Sequence, residues 1–167
     1  MHRIKKSIFL LLAILCISTT TCFAYGIPRN DMAIGGVTLG TSLDYVKQIY
    51  GSPTSSYYEE GDYMTGKIAV YSYNQMFVIY AGTKNHPEGR VYSVICRDKG
   101  LSTPAGFAVG MKFDIVKKIY GYPNETKYPI NPVEGCRHYE YNTGSYNMQF
   151  AIDSNKIIRQ IVVYSGV

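Results

Sequence analysis

The chain contains one eighteen-residue pattern twice. Residues 36–53 and 106–123 align without a gap and are identical at nine positions. The residues that define the repeat motif are Gly40, Val46, Tyr50, Gly51 and Pro53 in the first copy and Gly110, Val116, Tyr120, Gly121 and Pro123 in the second. Internal repetition of this kind indicates duplicated structural units. A catalytic site is usually a single asymmetric arrangement, so the duplication favours a scaffold that presents a binding surface.

Each copy predicts a short helix followed by strands. Apolar residues recur at helical spacing over about 42–50 and 112–120, and each run ends in Gly-x-Pro. Alternating apolar and polar residues then predict antiparallel strands within about 67–97 and 136–164. We therefore expect an α+β fold of two tandem repeats, residues 25–99 and 100–167. Each repeat would pack its helix on an antiparallel meander sheet of three or four strands.

The first 24 residues predict a secretory signal peptide. Basic residues come first, an apolar run over 8–17 follows, and the small residues Cys22 and Ala24 occupy the minus-three and minus-one positions of a cleavage site. We expect cleavage after Ala24 and an exported protein, periplasmic or secreted, with no stable membrane span. The alternative is an uncleaved membrane anchor.

Removal of that segment changes the charge of the chain. The full sequence has 17 basic and 12 acidic side chains, and Arg3, Lys5 and Lys6 leave with the signal. The remaining 14 basic and 12 acidic side chains give a formal charge of +2, without a long basic run. This balance excludes the electrostatic footprint of a nucleic-acid-binding protein.

Two cysteines remain after the signal, Cys96 and Cys136. An even pair in an oxidising compartment predicts a disulfide, which would close a loop of about forty residues and contribute ~4 kcal/mol in the chain-entropy model. Strand alternation requires the faces carrying the two cysteines to coincide, or one cysteine to lie just past its strand. A zinc site with His86 and His138 is the alternative, but the paired spacing of a structural zinc motif is absent. We expect no metal and no cofactor.

The sequence has no motif typical of catalysis. It lacks a Gly-x-Ser-x-Gly nucleophile turn, a phosphate-binding Gly-Lys-Ser/Thr loop and a dinucleotide-binding glycine pattern. We therefore expect that the protein is not an enzyme. Glu59, Glu60 and Asp62 form an acidic cluster, which a solvated loop explains most simply. A weak cation site and a contact for a basic partner are the alternatives.

Tyrosine is unusually abundant, with 17 residues, whereas tryptophan is absent. Tyrosine combines a large contact area with a polar tip, which binding surfaces favour. Two predicted strands each carry a Tyr-x-Tyr pair on one face, and these residues form the predicted partner-binding strip: Tyr71, Tyr73, Tyr139 and Tyr141. The alternative is that these rings pack beneath the helices as core.

The segment 110–123 resembles a known module. Gly110-Met111, then Val116, then Gly121-x-Pro123, followed by a Tyr-x-Tyr strand and a hairpin, resemble the SmpA/OmlA module of the small lipoprotein in the outer-membrane β-barrel assembly machine. Two such units in tandem resemble the architecture of the β-lactamase inhibitor protein. The resemblance implies a non-catalytic module that binds another protein, such as an envelope component. Inhibition of a secreted hydrolase such as a β-lactamase is the alternative, and a small-ligand binder or enzyme is a third hypothesis.

Overall fold

The computed structural model describes residues 27–165, except 64 and 87. The predicted signal peptide lies outside the described residues. A 3₁₀ turn, Arg29–Asp31, precedes two short strands, β1 (Ala33–Ile34) and β2 (Val37–Thr38). The helices are α1 (Leu43–Tyr50) and α2 (Phe113–Tyr120). Eight further strands follow, of which only β7 is as short as β1 and β2. They are β3 (Ser55–Glu60), β4 (Lys67–Tyr73), β5 (Phe77–Gly82), β6 (Arg90–Cys96), β7 (Asn124–Glu125), β8 (Arg137–Asn142), β9 (Tyr146–Ile152) and β10 (Ile158–Ser165).

Eight of these strands form one antiparallel sheet in the order β3-β4-β5-β6-β10-β9-β8-β7, and β1 pairs separately with β2. The centre of the large sheet is the pairing of β6 with β10, where Val94 lies opposite Val163 and Ile95 opposite Val162. These four side chains are buried. The last strand of each half of the chain thus lies at the centre of the sheet.

The predicted fold of two helix-on-sheet repeats, each with its own small sheet, is wrong. Within the described residues, all the long strands belong to a single continuous sheet, and two short helices lie beside it. The physical reason is that β6 and β10 are apolar on both faces. Such strands are stable inside a sheet, because an unpaired edge would leave backbone donors and acceptors exposed beside apolar side chains.

The two helices are close to their predicted positions, and both end at a glycine. The Ser42 hydroxyl accepts a hydrogen bond from the Tyr45 N–H (3.3 Å) at the start of α1, whereas Lys112 makes no side-chain cap for α2. Gly51 and Gly121 follow the helices with φ of 73° and 81°. Glycine adopts this backbone conformation without the steric cost that a Cβ atom brings, so the repeated Gly ends both helices.

The main core lies between the helices and one side of the sheet, which we call the helix face. Val46 and Val116, at the centres of the helices, are completely buried. They belong to one cluster with the helix-face residues Phe77 and Phe150. The opposite side of the sheet, which we call the open face, carries no helix in the described part of the chain.

Candidate functional site

A segment of irregular chain covers the β8–β10 part of the open face. This segment, residues 126–135, is called the strap. The Ile130 N–H donates to Gln149 Oε1 (2.9 Å), and Gln160 Nε2 donates to the Asn131 carbonyl (2.9 Å). Both glutamines rise from the sheet and are buried. The side-chain amides of the two glutamines therefore hold the strap at 130–131 by hydrogen bonds to its backbone, as expected for buried polar groups.

Two further contacts hold the strap and its glutamines. His138 Nε2 accepts a hydrogen bond from the Val133 N–H (3.1 Å). The Arg97 guanidinium donates from Nε to Gln160 Oε1 (2.8 Å). The middle of the strap, at Ile130 and Asn131, thus lies beside Gln160 of β10, and the open face of β5 and β6 is left uncovered by the strap.

A cleft of about 640 Å³ lies beside the middle of the strap. Aromatic, aliphatic and small polar side chains surround it, and none of the described residues that line it has an ionised side chain. The lining residues are Tyr80, Tyr92, Ser93, Ile95, Ile130, Asn131, Tyr164 and Ser165. A largely apolar cleft with a few fixed polar groups is the usual form of a binding site.

Tyrosines extend from this cleft to the edge of the sheet. The register defines a transverse row of facing residues across five strands: Tyr57, Val70, Tyr80, Ser93 and Tyr164. Its three tyrosines are two strands apart, which corresponds to roughly 10 Å between successive Cα atoms. Tyr92 lies beside the row, with its ring centroid 6.4 Å from that of Tyr80. These four residues, Tyr57, Tyr80, Tyr92 and Tyr164, are the open-face tyrosines.

The hydroxyl of Tyr164 belongs to a hydrogen-bonded network below the strap. It donates to Glu140 Oε2 (2.7 Å) and accepts from Gln149 Nε2 (3.0 Å). The same Gln149 nitrogen donates to Glu140 Oε2 (2.6 Å). One carboxylate thus orients the Tyr164 ring and the glutamine that holds the strap, so the wall of the cleft and its rim are coupled.

The cleft tyrosines are neutral hydrogen-bonding groups at physiological pH. Burial, with the nearby Glu59 carboxylate, raises the pKa of Tyr92 to about 12. Burial likewise raises the pKa of Tyr80. Burial and the hydrogen bond to Glu140 raise the pKa of Tyr164. A phenol held in its protonated form suits recognition through its ring and hydroxyl more than proton abstraction near neutral pH.

Ser93 contributes an unusual polar group to the floor of the cleft. Its side chain is buried, with 5% of the residue exposed, and its hydroxyl has no hydrogen-bond partner in the described part of the chain. A buried hydroxyl without a partner is uncommon in folded proteins. The floor of the cleft therefore has a hydroxyl that is free to form a hydrogen bond with a bound group.

The four tyrosines of the predicted binding strip lie on the helix face instead. Tyr71 and Tyr141 are buried, with 7% and 4% exposed. The Tyr73 ring packs on Tyr50, with centroids 5.4 Å apart. Tyr139 stacks on Phe113 of α2, with centroids 5.2 Å apart. The packing therefore supports the alternative interpretation that these rings belong to the core, because a partner could not reach the buried ones without displacing a helix.

The predicted disulfide between Cys96 and Cys136 is absent, and both thiols are free. Cys96 lies opposite Ile161, and the next residues across the sheet are Phe150 and Tyr139. Three strand spacings separate Cys96 from the β8 strand, about 14 Å, and Cys136 lies before the start of β8. A disulfide requires Cα atoms within about 7 Å of each other. The prediction is wrong because β9 and β10 lie between the two cysteines.

Tyr80, Tyr92 and Tyr164 are not among the binding residues predicted from the sequence. They lie outside the repeated Tyr-x-Tyr pairs that drew the prediction to β4 and β8. A signal for Tyr80 is nevertheless present in the alternation of β5, where Phe77, Ile79 and Ala81 are buried on the helix face and Tyr80 has the opposite phase. Tyr164 is opposite Ser93 only because β6 pairs with β10, which no local pattern specifies.

A second cleft, of about 490 Å³, lies beside α2 on the helix face. Its charged groups already form ion pairs. Asp114 contacts Lys117 (2.6 Å) and Lys156 (3.8 Å), and Arg137 contacts Glu125 (2.5 Å). Because the lysine and arginine side chains of this cleft already pair with carboxylates of the protein, they would attract an anionic ligand less strongly than unpaired cations.

The described residues contain neither a membrane-spanning helix nor a cluster of metal-binding side chains. None of the helices they form has the length and apolar character needed to cross a bilayer. In the same part of the chain, no three histidine, cysteine, aspartate or glutamate side chains come together in a way that could hold a metal ion. His86 lies instead beside Glu88, 3.4 Å between Nδ1 and Oε1, on an exposed loop.

No protein-family description matches this sequence, and no curated protein resembles it at the sequence level. Solved structures resemble its fold. An extracellular protein containing a SCP domain from Bacillus anthracis has a TM-score of 0.51 and 11% identity, covering 75% of this chain and 43% of that chain. A cysteine-rich secretory protein from Staphylococcus aureus has a TM-score of 0.50 and 11% identity, covering 75% of this chain and 42% of that chain.

YjgB, a DUF4309 family protein from Bacillus subtilis, has a TM-score of 0.47 and 15% identity, covering 87% of this chain and 91% of that chain. This chain spans less than half the length of the two proteins from B. anthracis and S. aureus. At these identities the likeness is one of fold alone. The two proteins are described as extracellular or secretory, which fits an exported protein.

Proposed function

We propose that this chain is an exported, non-catalytic binding protein that binds a macromolecular partner at the cleft on its open face. The observation that carries the proposal is the row of open-face tyrosines, which leads from the outer strand β3 into the cleft beside the strap. Tyrosine is enriched among the residues that dominate the binding energy of protein interfaces.

The chemistry of the cleft favours binding over catalysis. Its tyrosines are held neutral, and its other polar groups are Ser93, Asn131 and Ser165. A hydroxyl nucleophile is usually activated by a base within hydrogen-bond reach. The Ser93 hydroxyl has no such partner among the described residues, and the Glu140 carboxylate is engaged by Tyr164 and Gln149. This arrangement supports recognition of a partner by ring contact and hydrogen bonding.

Export is supported by two observations of different kinds. Residues 1–24 have the order of charges, apolar residues and small residues typical of a signal peptide. Two proteins of similar fold are described as extracellular or secretory. A partner in the envelope or outside the cell is consistent with both.

Site-specific photo-crosslinking tests the proposed function. A photoreactive phenylalanine analogue replaces Tyr80 in the cleft or, as the control, Tyr45, which is exposed on α1 with 47% of its surface accessible. We expect a discrete crosslinked species from envelope or culture-medium fractions at Tyr80 and none at Tyr45. The species is identified by mass spectrometry, and its affinity is measured with purified material.

Substitution then tests whether the cleft supplies the binding energy. Tyr80→Ala should weaken binding of the crosslinked partner about 30-fold, corresponding to a hot-spot contribution of about 2 kcal/mol. Tyr45→Ala should leave affinity unchanged. Equal crosslinking at both positions, or equal affinities for both variants, would contradict the proposal.

The alternative predicted from the sequence is inhibition of a secreted hydrolase. Titration of purified protein against a panel of hydrolases, β-lactamases included, measures it directly. Unchanged rates throughout the panel would remove this alternative, while the binding proposal would still be decided by crosslinking. The resemblance to SmpA/OmlA modules likewise stays a prediction.

A further inference from the structure

The outer strand β3 is a long free edge of the sheet. All six of its residues are exposed, and it pairs with β4 along its whole length from Ser55 to Glu60. The opposite edge strand, β7, has only two residues. Proteins commonly shorten or otherwise protect their edge strands, because a free edge accepts another strand. Of the two edges of this sheet, β3 is the one long enough to do so.

The hydrogen-bond phase identifies which backbone groups of β3 face outward. The Thr83 N–H donates to the Lys67 carbonyl (2.9 Å), so the odd-numbered residues of β4 bond to β5. Even-numbered residues of β4 therefore bond to β3, where their partners are the odd-numbered residues. The outward N–H and C=O groups of β3 consequently belong to Ser56, Tyr58 and Glu60.

The charge of this edge defines the strand that fits it. Glu59 and Glu60 are exposed, and neither forms an ion pair with any residue whose position the structure describes. Neither lysine nor arginine occurs within β3. An added strand carrying lysine or arginine near Glu59 and Glu60 would gain opposite-charge pairs in addition to main-chain hydrogen bonds.

We propose that β3 accepts an extended basic segment of the binding partner as a ninth strand of the sheet. The inference rests on the proposed function, because Tyr57 of β3 begins the tyrosine row that leads to the cleft. A partner whose extended segment lies along β3 thus reaches Tyr57 and then Tyr80 on the open face. Main-chain pairing supplies affinity, and the two glutamates select a basic segment.

A second copy of this chain fits the same edge less well. Antiparallel pairing of β3 with itself about Tyr58 places Ser56 of each copy opposite Glu60 of the other. Neither glutamate of either copy then gains a cation. A basic strand removes this deficit, so charge complementarity favours it over self-association.

Hydrogen exchange with a synthetic peptide tests this inference. The probe is an eight-residue peptide of alternating lysine and valine, and the matched control replaces every lysine by glutamate. With the basic peptide, we expect slower amide exchange at Ser56, Tyr58 and Glu60. Exchange at Tyr57 and Glu59 should change less, because their N–H groups already bond to β4. The glutamate peptide should produce no protection.

Variants of β3 separate edge pairing from other modes of binding. Tyr58→Pro removes an outward N–H without removing a bond to β4 and should weaken peptide binding about tenfold. Tyr58→Thr keeps the N–H in a residue that favours strands and serves as its control. Glu59→Gln with Glu60→Gln should weaken binding of the basic peptide while retaining the strand. Circular dichroism and thermal unfolding of each variant verify that the sheet is intact.

Two results with peptides would overturn the inference: no alternating protection of the β3 amides with the basic peptide, or equal binding of the glutamate peptide. Protection of the β3 amides that depends on protein concentration without peptide would also overturn it, because it would assign the edge to a second copy. The crosslinked partner separates this inference from the proposed function. If Tyr80→Ala releases that partner and Tyr58→Pro does not, the edge inference fails and the proposed function stands. If Tyr80→Ala has no effect, the proposed function fails.

Discussion

The hydroxyls of Tyr73 and Tyr141 both donate to the carbonyl of the glycine that ends a helix. Tyr73 bonds to the Gly51 oxygen at 3.2 Å, and Tyr141 bonds to the Gly121 oxygen at 2.8 Å. Their rings pack against Tyr50 and Tyr120 of the same helices. At the scale of single residues, the repeated Tyr-x-Tyr pairs therefore have a structural role, which is to attach each helix end to the sheet.

Substitution of Tyr141 should consequently reduce stability. Tyr141→Ala removes a buried ring and should lower the free energy of unfolding by ~3–5 kcal/mol. Tyr141→Phe keeps the ring and should lower it by only ~0.5–1.5 kcal/mol, because one hydrogen bond is lost. Urea unfolding of purified protein measures both. The exposed Tyr128→Ala is the control, with no expected change, and a Tyr141→Ala protein as stable as this control would contradict the core assignment.

At the scale of elements, the strap depends on one histidine as well as on two glutamines. His138 accepts its hydrogen bond at Nε2, which requires the neutral imidazole. Burial lowers the pKa of His138 below its ordinary value of 6.5. The folded protein thus binds a proton at this site less readily than the unfolded chain does.

This difference predicts a loss of stability in mild acid. As pH falls below about 6.5, the unfolded chain takes up the proton first, so the contribution of neutral His138 is complete above this pH and decreases toward the lower folded-state pKa. Urea unfolding between about pH 7.5 and 5 should show wild-type protein losing more stability than His138→Gln, whose side-chain oxygen can accept the same bond but does not titrate. Parallel pH curves for the two proteins would contradict the role assigned to His138.

At the scale of the whole molecule, the pairing of β6 with β10 makes the two halves of the chain interdependent. Without that pairing, each half would expose a strand that carries apolar side chains on both faces. These side chains are Val94 and Ile95 in β6 and Val162 and Val163 in β10, and all four are buried in the intact sheet. Small units also bury a lower fraction of their surface and are marginally stable by themselves.

An isolated half should therefore not fold as a stable monomer. A fragment of residues 27–99 should either lack a cooperative thermal transition or self-associate through β6, whereas the intact protein should unfold in a single transition. Circular dichroism and sedimentation velocity distinguish these states, with the intact chain as the control. A monomeric, cooperatively folded fragment would show that the first half folds without the pairing of β6 with β10.

Local patterns predicted the elements well. Both helices end before the predicted glycines, Gly51 and Gly121. The strands β4–β6 and β8–β10 lie within about one residue of the predicted ranges 67–97 and 136–164. The predicted solvated loop around Glu59 and Glu60 is instead the edge strand β3, because pairing with β4 organises a segment without apolar alternation. Strand formation there depends on a neighbour and not on the side chains of the segment.

The sequence by itself determined where helices start and stop, which strands alternate, and that one unit occurs twice, because backbone conformation and side-chain periodicity are local properties. Only the tertiary structure decided that β6 pairs with β10, that Cys96 and Cys136 lie apart, and that Tyr80 and Tyr164 share a cleft while Tyr141 is core. These features depend on contacts between residues far apart in the chain. Alternation assigns residues to two faces, but only the packing of the helices decides which face is covered.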